Sequence, residues 1–137
     1  MSRIIDFEHG AAEPQPGAPP ADRILRGDPR HTIWNHYSDP TGQFHAGIWE
    51  AGPGAWRVQY DAREEELCVL LEGRVRIVEE DGTARDFGPG ATFVVPGGFR
   101  GIWENLERVR KVYAVTSLHE GGPSHSGDAQ ARQGKAE

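Results

Sequence analysis

The sequence predicts an all-β fold of sandwich or barrel type, and three observations point there. The chain has 137 residues, a length that suits one domain with one core. It carries 18 Gly and 10 Pro, a density of turn formers that leaves little room for long helices. Its apolar residues fall in short runs at regular spacing, each bounded by a turn signal, and no repeat of 20 to 50 residues suggests a solenoid.

Taken in order, the runs are "QFHAGIWE" (43–50), "WRVQY" (56–60) after the turn "AGPGA", "ELCVLLE" (66–72), "GRVRIVEE" (73–80), "TARDF" (83–87), "ATFVVP" (91–96) after "GPG", "FRGIWENL" (99–106) after "GG", and "RKVYAVTSL" (110–118). Asp81-Gly82 between two of them predicts a tight hairpin with a type I′ turn. "ADRILRGD" (21–28) is long enough for a single helical turn. In "ELCVLLEG", alternation puts Leu67, Val69 and Leu71 on one face and Cys68 and Leu70 on the other. Both faces are apolar, so either the strand lies between two layers or its outer face meets another subunit; a homodimer is expected.

The ends differ from the middle. Residues 10–22 are rich in Pro and Ala with little to bury, and 1–22 are expected to form a flexible, extended arm. Residues 118–137 are polar and Gly-rich, and are expected to be disordered, with His119 and His125 facing solvent. The folded barrel is then 23–117.

A net charge of −6 and a pI near 5.5 argue against a phosphate-binding surface, so no nucleic-acid partner is expected. Cys68 is the single cysteine, which excludes an intrachain disulfide and a Cys-cluster zinc site. No apolar stretch has the length of a membrane span and the N-terminus lacks a signal-peptide core, so the expectation is a cytoplasmic protein without a membrane partner.

Two spacings are more specific. Gly54, five residues, Tyr60, one residue, Ala62, three residues, Glu66, six residues and Gly73 form one series; Gly90, five residues, Pro96, one residue, Gly98, two residues, Gly101, three residues and Asn105 form the other. These resemble the two motifs of the cupins, small double-stranded β-helix or jelly-roll barrels. The match covers about residues 44–115. Its finer pattern is similar to the ureidoglycine aminohydrolase-like and ethanolamine-utilisation-like subgroup. The resemblance implies metal-binding histidines where this chain has Tyr60, Ala62 and Gly101. Glycines suit the sharp turns at these slots, and Pro96 suits a strand end.

A catalytic zinc site takes about three protein ligands, and Glu66 alone does not supply them. Replacement ligands would have to come from His36, His45 or Cys68, none of which fills a family metal slot, or from Tyr60. The expectation is therefore no cofactor; the alternative, a metal-dependent cupin with replacement ligands, would hold Mn, Fe, Ni or Zn. Alternation places Trp56, Val58, Tyr60 and Ala62 on the inner face, with Phe99, Gly101 and Trp103 on the matching face of a later strand. These aromatics either line a ligand pocket or simply fill a small barrel.

Glu66 is the sharpest candidate. An inward carboxylate with no metal needs a partner, and Lys111, sharing a face with Tyr113, is one; Arg57, Arg100 and Arg110 are others. The expected function is a metal-independent cupin binding a small polar metabolite. Glu66 would act as general acid/base with Tyr60 or Lys111 assisting an isomerase, lyase or hydrolase step. Trp56, Cys68, Phe99, Trp103 and Tyr113 are the candidate pocket wall, although Cys68 also reads as simple packing. "REEE" (63–66) and "VEEDG" (78–82) read as solvated turn charges rather than a carboxylate pair. The alternative from another class is a non-catalytic binding or sensing module.

Overall fold

The computed structural model describes residues 2–118. His119, His125 and the rest of the polar tail lie outside the described residues.

Among the described residues there are eleven strands: β1 (Gln15–Gly17), β2 (Ile24–Gly27), β3 (His31–Ser38), β4 (Phe44–Ala51), β5 (Gly54–Gln59), β6 (Glu64–Glu72), β7 (Val75–Glu79), β8 (Ala84–Phe87), β9 (Thr92–Val95), β10 (Arg100–Asn105) and β11 (Val109–Ser117). They form a six-stranded sheet in the order β1-β3-β4-β11-β6-β9 and a five-stranded sheet in the order β2-β5-β10-β7-β8. Every pairing is antiparallel. The all-β jelly-roll expectation holds.

β11 shows why these residues make strands. Its Val, Tyr and Thr content favours extended backbone, and buried and half-buried residues alternate along its whole length. Val109, Lys111, Tyr113, Val115 and Ser117 point into the barrel, where three buried indoles, Trp49, Trp56 and Trp103, meet with ring centroids 6.1 to 6.4 Å apart.

Several expectations are corrected. β3, "HTIWNHYS", was not legible as a strand because its two strongly apolar residues, Ile33 and Trp34, are adjacent rather than alternating. Pairing with β1 and β4 on its two sides holds it extended, and a bulge between Asn35 and Tyr37 breaks its register. The helical turn expected in 21–28 is only a 3-10 turn, Ala21–Arg23, running directly into β2. Within the N-terminal arm, Gln15–Gly17 contributes an edge strand. The Asp81-Gly82 hairpin is not type I′: only Gly82 has positive φ (91°), and its N–H donates to Glu79 O at 2.8 Å. This is the three-residue loop with glycine in the left-handed position.

Nor does β6 lie between two layers. Cys68 and Leu70 are buried against the other sheet, whereas Leu67 and Leu71 are about 40% exposed. Beside Leu67 in register stands Val94, also exposed.

Candidate functional site

Alternation along β6 turns Glu64, Glu66, Cys68 and Leu70 inward. Glu66 is 1% exposed, and a carboxylate in so dry a place must be compensated. Its Oε1 accepts a hydrogen bond from the Tyr60 hydroxyl at 2.6 Å, and its Oε2 lies 3.2 Å from Lys111 Nζ. Lys111 is four residues before Val115, the cross-strand partner of Glu66. The register between these positions is regular, and two long side chains leaning along their strands bring the charges together.

The Lys111 ammonium has three further neighbours. It donates to Cys68 Sγ at 3.6 Å and sits 4.4 Å from the centroid of Trp103 and 4.6 Å from that of Trp49. Indole faces attract a cation, more so when water is excluded. Lys111 is thus a fixed positive charge held by a carboxylate and two aromatic faces.

Burial, followed by the charge of Glu66, pushes the Tyr60 phenol well above its ordinary value of 10.0. The Cys68 thiol is pushed up by burial and by Glu66 against the opposing effect of Lys111, so it stays a neutral thiol and a poor nucleophile. The Tyr113 phenol is raised by burial and Glu66, and its hydroxyl donates to Asn35 Oδ1 at 2.6 Å. A phenol whose folded pKa is raised contributes stability that is fully present below its unfolded value, near 10, and lost as pH rises above it. The expected result is alkaline unfolding beginning above about pH 10. Tyr60→Phe should flatten that limb, measured as urea midpoints across pH; an unchanged slope would contradict the assignment.

Glu64 is a residue that sequence reasoning missed. "REEE" was read as solvated, yet Glu64 is 1% exposed and its Oε1 accepts the Asp61 N–H at 2.8 Å; Glu65 alone on that strand end conforms to the expectation. The signal was available, since Glu64 is two residues from Glu66 on a strand. Ala62, expected on the inner face, is exposed in the turn joining β5 to β6. The chain bends after Tyr60, which ends the alternation.

The residues around Glu66 do not fit a divalent cation. A Cβ at Gly101 would lie 2.3 Å from Val78 O and 2.8 Å from Phe99 Cζ, so the Phe99 ring fills the space a side chain there would need. The Tyr60 hydroxyl is spent on Glu66, and the Lys111 ammonium stands where a second positive charge would be repelled. The candidate replacement ligands are elsewhere: the ring nitrogens of His45 are hydrogen-bonded to Ser38 Oγ (2.6 Å) and Gly42 O (2.9 Å), and His36 stacks on Phe7 at 4.5 Å. Among the described residues the one cluster of metal-type ligands is the exposed Asp6, Glu8 and His9.

A cleft of about 470 Å³ opens at the barrel mouth, where edge strands β8 and β9 of the two sheets approach each other. Its apolar wall is Phe87, Phe93, Val95 and Phe99, with Arg85 and Arg100 on the rim. Phe87 and Phe93 stack at 4.2 Å across the seam. The floor is one side-chain layer above the charged group: Phe99 meets Tyr60 edge-on at 6.4 Å, Phe93 lies 6.0 Å from Trp103, and Val95 is the cross-strand partner of Glu66. Of the expected pocket wall only Phe99 lines this cleft. Trp56, Cys68, Trp103 and Tyr113 have no exposed surface and pack in the core, because a barrel this narrow is filled by side chains.

Residues 38–113 match the EutQ-like cupin domain family. No curated protein matches the chain. Among solved structures, a protein of unknown function from Pseudomonas syringae pv. tomato is 29% identical over 77% of this chain, with a TM-score of 0.67; this chain spans 45% of it. The EutQ protein of Clostridium difficile is 12% identical, covering 66% of this chain and 64% of its own length, with a TM-score of 0.56. An ectoine synthase from P. lautus is 16% identical, with 64% of each chain covered and a TM-score of 0.55. The chain thus spans less than two-thirds of the length of each. The last two likenesses concern the fold alone.

Proposed function

We propose, for a chain that belongs to the EutQ-like cupin domain family, a metal-independent cupin that binds a small polar metabolite at the barrel mouth and acts on it through Glu66. The observation that carries this reading is the assembly of carboxylate, phenol and ammonium in a dry core. Apolar side chains of similar volume are often no less stable there, and buried, paired groups of this kind recur where catalytic proton transfer is tuned. Glu66 is the general acid/base. Tyr60 and Lys111 are positioning residues that fix its orientation and charge. Phe99, half-buried at the floor of the cleft, is the side chain that must move to admit substrate. The reaction class is proton transfer in an isomerase, lyase or hydrolase step.

The test is a thermal-shift screen of small polar metabolites followed by turnover assays on the hits. Glu66→Gln should retain ligand and lose about 10²- to 10⁴-fold in rate; a Gln variant as fast as wild type would overturn the assignment. A second reading, a non-catalytic binding module, is favoured by one observation: Glu66, Tyr60 and Lys111 are at most 1% exposed beneath an intact floor. It predicts ligands that wild type binds and never converts.

The outer face of the six-stranded sheet supports a homodimer. Leu67 and Val94 stand exposed in one register row with Ala114 and Ala46, an uncharged stripe suited to a second copy. Sedimentation should give twice 15.1 kDa for wild type and the monomer mass for Leu67→Glu. A wild-type monomer would contradict it.

A further inference from the structure

Resting on the reading that the mouth cleft is the ligand site, we propose that its ligand is a small monocarboxylate with a planar, unsaturated body, and that Arg100 is the residue that selects it. The cleft volume of about 470 Å³ lies in the range of small-molecule sites. Its wall offers three half-buried phenyl rings, Phe87, Phe93 and Phe99, from two strands and the loop before β10. Partly exposed faces of this kind take a flat apolar body by offset or edge-on stacking.

The rim decides the charge. Two of its three acids are already engaged. Glu79 pairs with Arg85 at 3.1 Å, Asp81 Oδ1 accepts the Thr83 N–H at 2.9 Å, which contributes to holding its carboxyl below the ordinary range, and Glu80 faces Arg100. The two rim arginines differ. Arg85 is in hydrogen-bonding contact with its acid, whereas Arg100 reaches Glu80 only at 4.0 Å, with both side chains more than half exposed. Such a pair contributes little, and a guanidinium has five N–H donors in a fork that matches a carboxylate bidentately. Arg100 is therefore the rim cation with donors to offer. One guanidinium fork matches one carboxylate, so a monocarboxylate is the match.

The probes are benzoate, benzylamine and benzyl alcohol, which share a ring and differ in charge, titrated calorimetrically into the whole protein at low salt. Benzoate should bind saturably and more tightly than the other two. Arg100→Gln should weaken benzoate at least about tenfold, the effect of losing one charge-assisted pair, and leave benzyl alcohol unchanged. Arg85→Gln should cost benzoate less than Arg100→Gln does. Benzylamine or benzyl alcohol binding as well as benzoate, with Phe93→Ala weakening them, would overturn the carboxylate assignment while the cleft remained the ligand site. None of the three binding at millimolar concentration would overturn the cleft itself. Arg100 is on the surface, so its substitution leaves the fold intact and the comparison interpretable.

Discussion

Lys111→Met should unfold this protein more readily than any substitution on its surface. The change removes the cation 3.2 Å from Glu66 and leaves a carboxylate that is 1% exposed without its counter-charge. Breaking a buried pair from one side costs about 3–5 kcal/mol, a large share of the roughly 5–15 kcal/mol that holds a domain together. Methionine keeps much of the lysine volume, so the loss is electrostatic rather than a cavity effect. The informative comparison removes the whole polar group. Glu66→Leu with Lys111→Met leaves the Tyr60 hydroxyl without its acceptor, which costs about 1–3 kcal/mol; adding Tyr60→Phe removes that orphan. The triple variant should recover wild-type stability or exceed it. Urea unfolding of the three proteins checks this. If the triple variant is as unstable as Lys111→Met alone, the group is a structural staple, and the argument that it is retained for chemistry fails.

Trp103→Ala is expected to be nearly as damaging, for a different reason. Trp103 has no exposed surface and lies against Trp49, Trp56 and Phe93. It supplies one of the two π faces over the ammonium, and its Nε1 donates to Asn105 Oδ1 at 2.8 Å. Emptying such a site costs about 3–5 kcal/mol. Trp103→Phe should restore most of the packing while leaving Asn105 Oδ1 without that donor, and so should fall between the two in denaturation midpoint. Because Trp103→Ala removes one aromatic neighbour of Lys111, Trp103→Ala and Lys111→Met should be non-additive. Additive losses would show that the indole acts by packing alone.

Both predictions rest on side chains whose shared faces were legible in the sequence, although the inward turn of Lys111 was not. Strand alternation is a local property with a period of two, so Trp56, Val58 and Tyr60 on one strand and Lys111 with Tyr113 on another were assigned to shared faces from the chain alone. The same regularity gave the all-β class, and the resemblance of two spacings to the cupin motifs implied the barrel type. It failed where the period breaks: at Ala62, where the chain bends, and in β3, whose pairing on both sides compensates for a weak pattern. Glu64 was within reach of the rule and was misread because three adjacent glutamates look like a solvated turn.

What the sequence determined, then, was the fold class and an inward acid in need of a partner. The tertiary structure decided which partner. Lys111 meets Glu66 because β11 pairs with β6 and two long side chains close the remaining gap between strands whose sequence separation says nothing about distance. It also decided that the indoles and Tyr113 fill the core while the cleft opens at the seam between the sheets, lined by Phe87 and Phe93, which no motif marked. Local periodicity fixes which way a side chain points; only the pairing of strands far apart in sequence fixes what it meets there.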